Sequence, residues 1–253
     1  MKVAALQFDI VWEDRTTNYR KVRRFAKIAA DSGADVLILP EMFATGFSLN
    51  STVTIEEPGG ETASFVQSLA SDFNVNVIAG LVLRGNHGLG RNCALTVDRE
   101  GHGVALYTKT HLIGILGEDK HHEPGDGPKL FTLGSMKCAS FICYDLRFPE
   151  LFRLVADNCT LVFVIASWPD ARKRHWHILL QARAVENQFY VVGVNRIGQG
   201  GGLTYSGGTV IYDPLGNIIA EGGNREGLII GDVDSAKVAE VRSAMPFLKD
   251  RRF

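Results

Sequence analysis

Apolar runs and helix-spaced patterns alternate along almost the whole chain. Residues 3–8 form an apolar run that predicts a strand, and residues 16–32 predict an amphipathic helix ending at Gly33. A short buried strand follows over 36–39 and is stopped by Pro40; a helix over 61–73 and a strand over 75–83 come next. Residues 92–97 and 104–109 pair as a hairpin around Asp98-Arg-Glu-Gly101.

The second half runs through the same order. A strand over 137–143 leads to a helix over 149–156 with proline at its first position. A buried strand over 161–166, a helix over 173–187 and a strand over 189–194 follow. A hairpin over 209–212 and 218–220 turns at Asp213-Pro-Leu-Gly216, and a strand over 228–233 closes the set. The repeated order predicts an internal pseudo-duplication: an α/β chain with two sheets, helices on each outer face, and so a four-layer α-β-β-α sandwich. No linker rich in proline, serine or charge divides the halves, so residues 1–253 read as one domain. Residues 235–253 form an extension too polar for a core of its own and suited to the surface of a partner subunit.

Composition narrows the function classes. With 253 residues, 45% of them hydrophobic and 22% charged, the chain has material for a sizeable core. A formal charge of −1 lacks the clustered basic face that nucleic acid demands. The densest basic stretch, 20–27, alternates with apolar residues at helical spacing and reads as a solvated helix face. No apolar run approaches the ~18 residues of a membrane span, and residues 1–10 lack the length and cleavage site of a signal sequence. The four cysteines, Cys93, Cys138, Cys143 and Cys159, form no Cys-x-x-Cys pair, which predicts reduced thiols in the cytoplasm.

Three segments place reactive side chains at strand ends. In Leu37-Ile-Leu-Pro-Glu41 a carboxylate leaves the carboxyl edge of a buried strand, where ligands bind in open α/β sheets. Low-dielectric walls there would raise its pKa toward the range of a general base; a glutamate capping the next loop is the alternative. Alternation along 104–109 puts Ala105, Tyr107 and Lys109 on one face, so Lys109 ends a strand where an ammonium can steady an oxyanion, or simply reach water. In Ser140-Phe-Ile-Cys-Tyr-Asp-Leu-Arg-Phe-Pro-Glu150 a strand ends at Cys143 just before a proline-initiated helix. A cysteine on such a bend is exposed beside the free backbone N–H of Tyr144, and a nearby Lys109 would lower its thiol pKa; a buried structural cysteine is the alternative. Cys138, Cys93 and Cys159 take that structural role.

A glutamate, a lysine and a cysteine at three strand ends supply base, electrophile and nucleophile for acyl transfer. In this the chain resembles the carbon–nitrogen hydrolase (nitrilase) superfamily. The resemblance is carried in order along essentially the whole chain by Leu39-Pro-Glu-Met-Phe43, Lys109-Thr-His-Leu112, Cys143-Tyr-Asp-Leu-Arg-Phe-Pro-Glu150 and Ala182-Arg-Ala-Val-Glu-Asn187. It implies the α-β-β-α fold, a Glu41–Lys109–Cys143 triad with no cofactor, and a homo-oligomer, expected as a dimer. It also implies a second pocket glutamate after the lysine, matched by Glu118 with Glu123 as the fallback. Met42-Phe-Ala-Thr-Gly-Phe-Ser48, Ser167-Trp-Pro169, Arg174-His-Trp176 and Tyr190-Val-Val-Gly-Val-Asn-Arg196 look closer to ω-amidases acting on 2-oxoglutaramate than to nitrilases. The substrate so implied is a small linear amide. A nitrile, an N-carbamoyl compound or deaminated glutathione are the alternatives, and a non-catalytic binding subunit is the rival from another class.

Other signals weigh less. His175 and His177 lie two apart on a helix and point to different faces, so they make no metal motif. His122, or its neighbour His121, is expected at the pocket mouth. The run Gly198-Gln-Gly-Gly-Gly202 leads to a strand rather than a helix, and so reads as a tight loop at the pocket rim instead of a phosphate cradle. Arg147 reads first as a partner in an internal ion pair and second as a ligand for a substrate carboxylate. Trp168 ends the strand that matches Glu41's strand and should reach the same cleft.

Overall fold

A computed structural model describes residues 1–252. The first half comprises β1 (Lys2–Gln7), α1 (Arg15–Asp31), β2 (Val36–Ile38), the single turn α2 (Ser51–Thr54), β3 (Ile55–Glu56), α3 (Glu61–Phe73), β4 (Asn76–Arg84), β5 (Gly90–Val97) and β6 (Gly103–Thr108). The second comprises β7 (Leu130–Leu133), β8 (Met136–Ile142), α4 (Pro149–Val155), β9 (Leu161–Ala166), α5 (Lys173–Asn187) and β10 (Tyr190–Asn195). Then come the hairpin β11 (Ile197–Gly200) and β12 (Leu203–Ser206), followed by β13 (Val210–Tyr212), β14 (Ile218–Glu221), β15 (Gly227–Asp232) and α6 (Ser235–Ala244).

The pseudo-duplication is written in the topology. One sheet runs β15-β1-β2-β4-β5-β6 with β3 added to β4, and the other runs β7-β8-β9-β10-β13-β14. In each, three parallel strands are followed by two antiparallel ones, so β1, β2, β4, β5 and β6 correspond to β8, β9, β10, β13 and β14. Each sheet also carries an antiparallel outer strand, β15 on β1 and β7 on β8.

The period of two along each strand sorts side chains into layers. Val3, Ala5, Val36 and Ile38 face the second sheet and share a core cluster with Phe163 and Ile165, whereas Phe141 turns to Phe152 of α4. Ala4, Leu6, Leu37 and Leu39 turn the other way, onto Val22, Phe25 and Ala26 of α1 and Val66, Leu69 and Ala70 of α3. Strands β9 and β10 are buried at every position, as parallel strands covered on both faces must be. Gly193 in β10 is required by close approach: a Cβ there would sit 2.3 Å from Leu180 Cδ1 of α5. Helix α1 starts on Asp14, whose carboxylate accepts the Thr17 N–H at 3.0 Å, and stops at Gly33 with φ +73°.

Three elements depart from expectation. Strand β7 is too short for its alternation to stand out, yet Phe131 and Leu133 face inward. The glycine-rich run at the rim forms a two-stranded ribbon rather than a loop. The polar extension folds as α6 and packs on its own chain through Val238 and Val241. Arg242 fastens it, donating to the carbonyls of Cys159, Asn187 and Gln188 at 2.9–3.1 Å. Among the described residues no helix is long and apolar enough to cross a membrane.

Candidate active site

The carboxyl ends of β2, β6 and β8 open at one edge of the sandwich, because β6 is two antiparallel steps from β4 and so runs with β2. Glu41, Lys109 and Cys143 follow these ends. Glu41 and Lys109 are fully buried, and Lys109 Nζ lies 3.0 Å from Glu41 Oε1. Glu118, also fully buried, takes the same ammonium at 3.0 Å through Oε1 and at 2.9 Å through Oε2. Glu123 lies apart from this cluster: its carboxylate pairs with Arg91 on the rim and accepts the Asn86 N–H at 3.1 Å.

Further donors reach both carboxylates. Asn92 Nδ2 donates to Glu41 Oε1 at 2.8 Å and to Glu118 Oε1 at 3.0 Å. The backbone N–H of Ser167 donates to Glu41 Oε2 at 2.8 Å, and that of Ile113 to Glu118 Oε2, also at 2.8 Å. Burial pushes the Glu118 carboxyl up, but the Lys109 charge and the bonds from His122, Ile113 and Asn92 outweigh it and bring the pKa down to about 2. For Lys109 burial acts in the lowering direction and is overcome by Glu41 and Glu118, so the ammonium is held charged.

Cys143 is half-buried and opens a tight turn with φ +45°, a left-handed backbone that side chains rarely adopt. Its thiol is pushed well above the ordinary value, first by burial, then by the Glu41 charge; Lys109 pulls the other way and loses. The lowering expected from Lys109 is present but outweighed. That direction favours a neutral thiol at rest. The other thiols are buried and pushed up as well, Cys93 to about 11 and Cys159 to about 12.

A cavity of about 20 Å³ lies over the thiol, lined by Lys109, Tyr144, Ser167, Trp168, Arg147 and Arg172 on one side. Phe47, Ile113, Leu116, Leu203 and Tyr205 complete it. Phe47, Leu116, Leu203 and Tyr205 also wall an outer apolar vestibule of about 230 Å³ that adds Trp12 and Leu49. Trp168 reaches the cleft as its strand position requires, with its indole N–H on the Arg172 carbonyl at 2.8 Å. Arg147 has no acidic partner among the described residues, against the first expectation for it. Its guanidinium stacks 4.8 Å over the Trp168 ring and touches His175 Nδ1 at 3.4 Å. His122 is displaced from its expected place at the mouth: it is buried behind Glu118, with Nδ1 3.5 Å from Oε1. Among the described residues no group of three or more His, Cys, Asp or Glu side chains is arranged to hold a metal ion.

Sequence reasoning passed over Asn92, Asp145, the Ser167 N–H and Arg172. Asn92 alone carried a usable signal, since it shares the inward parity of Ala94 on β5 and is an amide where an apolar residue is expected.

A model of the family described as Carbon-nitrogen hydrolase matches residues 2–243. The chain belongs to the carbon–nitrogen hydrolase family. It is 34% identical to the 2-oxoglutaramate amidase of Bacillus subtilis, over 99% of this chain and 97% of that one. It is 32% identical to the omega-amidase YafV of Escherichia coli K12, over 99% and 96%. Among solved structures, a variant of the amidase from Nesterenkonia sp. AN1 superposes with a TM-score of 0.85 at 28% identity, covering 98% of both chains. That structure shows the result of Michael addition of acrylamide at its active-site cysteine. The present chain, as a carbon–nitrogen hydrolase, is an enzyme, and the likeness supports a cysteine amidase.

Proposed function

We propose that Cys143 is the nucleophile, Glu41 the base, and Lys109 with the Tyr144 N–H the oxyanion site of an enzyme that hydrolyses the ω-amide of a small 2-oxo acid such as 2-oxoglutaramate. Glu41 takes the thiol proton as sulfur attacks the amide carbon, and the carbonyl oxygen gains negative charge between Lys109 Nζ and the Tyr144 N–H. Collapse breaks the C–N bond; Glu41 returns its proton to the departing nitrogen, and ammonia leaves behind a thioester. A water then gives a proton to Glu41 and its oxygen to the acyl carbon, the carboxylic acid departs, and the proton goes back to sulfur. Glu118 does not exchange protons in this scheme. It holds Lys109 in place and balances its charge.

One observation carries the reading: the buried Glu41–Lys109–Glu118 cluster meets Cys143 in a cavity that also receives Arg147 and Arg172, two guanidinium groups without carboxylate partners among the described residues. They suit the carboxylate end of a 2-oxo acid, with Trp168 as its floor. The Bacillus subtilis relative supports the same substrate class. The apolar vestibule favours a second reading, a longer amide such as deaminated glutathione whose far end lies outside the small inner cavity.

Ammonia release from 2-oxoglutaramate, 2-oxosuccinamate, N-carbamoyl-β-alanine, an aliphatic nitrile and deaminated glutathione tests both, each against Cys143→Ala. Cys143-dependent turnover concentrated on the 2-oxo amides is expected. Turnover confined to deaminated glutathione transfers the assignment to the second reading, and Cys143-independent turnover removes the mechanism. We further place the enzyme in the cytoplasm as a homodimer. The unpaired thiols support the compartment. Exposed Leu154 on α4, and Ile178 and Val185 two turns apart on one face of α5, support a self-association surface that sedimentation of an Ile178→Asp variant checks.

A further inference from the structure

The turn that bears Cys143 is held by a side chain that takes no part in the proton transfers. A non-glycine residue at φ +45° persists only where its surroundings over-determine it. Asp145, two residues on, is fully buried. Its Oδ2 accepts the backbone N–H of Ile142 at 3.1 Å and the Tyr107 hydroxyl at 2.8 Å. Its Oδ1 accepts the backbone N–H of His111 at 2.8 Å and lies 3.1 Å from His111 Nδ1. Ile142 immediately precedes the nucleophile, whereas Tyr107 and His111 stand on either side of Lys109. One carboxylate thus joins the strained turn of the second sheet to both flanks of the lysine at the end of the first.

We propose that Asp145 is a positioning residue that sets the Cys143 sulfur against Lys109 and Glu41, so that its loss falls on the chemical step and not on substrate binding. The proposal rests on the assignment of Cys143 as nucleophile. Hydrogen-bond chemistry explains why the residue must be a carboxylate. An asparagine presents one oxygen and one NH2 group. Turned one way, the NH2 meets the His111 N–H; turned the other, it meets the Ile142 N–H. Either way a backbone donor on one side of the clamp is orphaned, while the Tyr107 hydroxyl and the imidazole can adapt by reversing roles.

The test compares wild type, Asp145→Asn, Tyr107→Phe and Cys143→Ala. Two things are measured below each variant's melting temperature: kcat and KM on the best amide of the panel, and the pH profile of Cys143 alkylation by iodoacetamide, followed by peptide mass spectrometry. Asp145→Asn is expected to lower kcat by about 10²-fold, the order associated with a displaced catalytic group, with KM little changed and the midpoint of the alkylation profile moved. Tyr107→Phe leaves the Ile142 and His111 donors satisfied, losing only the hydroxyl that also accepts the Thr110 N–H at 3.3 Å, and is expected to lower kcat by roughly tenfold. A side chain needed only for folding would lower the melting temperature and leave the kcat and alkylation midpoint of the folded enzyme as in wild type; that result for Asp145→Asn overturns the proposal, as does a loss confined to KM. Should Asp145→Asn not fold, wild-type kcat and midpoint in Tyr107→Phe overturn it. Turnover by Cys143→Ala refutes the nucleophile assignment first and this proposal with it, a failure distinguishable from the others because it appears in a different variant.

Discussion

The two halves of the sandwich offer the same strand ends and use them differently. At the end of β2 stands Glu41, and at the end of its counterpart β9 stand Ser167 and Trp168. The first position carries the buried carboxylate we propose as the base; the second supplies a backbone N–H to that carboxylate at 2.8 Å and an aromatic wall. At the end of β1, Gln7 binds the carbonyls of Gly223 and Arg225 at 2.8 and 2.9 Å and accepts the Thr209 N–H at 3.1 Å, which is purely constructional. At the matching end of β8 stands Cys143. Duplication of a scaffold provides equivalent positions. Chemistry then needs only one of each pair to be reactive, and the partner serves best as its support.

That division can be broken at the reactive positions first. Cys143→Ala should reduce turnover by about 10⁴-fold or more, as the loss of a covalent nucleophile does, with an unchanged melting profile; turnover near wild type would show that the two strand ends are not divided in this way. Lys109→Met leaves two buried carboxylates without their shared cation. Beyond lost activity it should cost about 3–5 kcal/mol in denaturant unfolding.

A smaller effect is expected on binding. Arg147→Ala should raise KM for 2-oxo acid amides by about ten- to a hundredfold, the loss of a charge-assisted contact, and leave KM for an uncharged amide such as propionamide nearly untouched; equal losses on both would remove the arginine from the acyl end. Acid titration sharpens the electrostatic half of the comparison. Glu118 is held at about 2 against an ordinary 4.5, so its contribution to stability is complete above 4.5 and is lost as pH falls toward 2. The Lys109 shift is upward, so its contribution is complete below the ordinary lysine value of 10.5 and is lost only at higher pH. Thermal melts between pH 5 and 2.5 should show a decline that Glu118→Gln flattens. Smallest of all, Ser167→Ala keeps the N–H and loses only the 3.3 Å contact of Oγ with the Glu41 carbonyl, for less than about 1 kcal/mol and a few-fold at most in kcat.

Most of the fold was legible because it depends on local periodicity. Helices α3 and α5 and strand β9 begin and end where the pattern of apolar positions places them. The strand ends we propose as reactive were legible for a related reason: Glu41, Lys109 and Cys143 each stand at the point where a strand must stop. Asp145 was not, and Asn92 only in its inward parity, since what they do depends on partners far along the chain. Asn92 gains its meaning from Glu41 and Glu118, and Asp145 from Tyr107 and His111. The net pKa of Cys143 is of the same kind. A lysine near a thiol pulls its pKa down, but the net direction is set first by burial and then by the Glu41 charge, and neither is read from the local sequence.

Strand β15 gives the molecule an order of assembly. Its pairing of Asp232 with Lys2 and of Gly227 with Gln7 means that the outer strand of the first sheet arrives only after the entire second sheet has been made. During synthesis the β1 edge, with Val3, Ala4, Ala5 and Leu6, therefore waits unpaired behind the ribosome, the situation in which nascent sheets recruit strands from neighbouring chains. Chaperone contact should concentrate on that edge, and a nascent chain stalled before residue 227 should be far more prone to co-aggregate than one released just beyond residue 232.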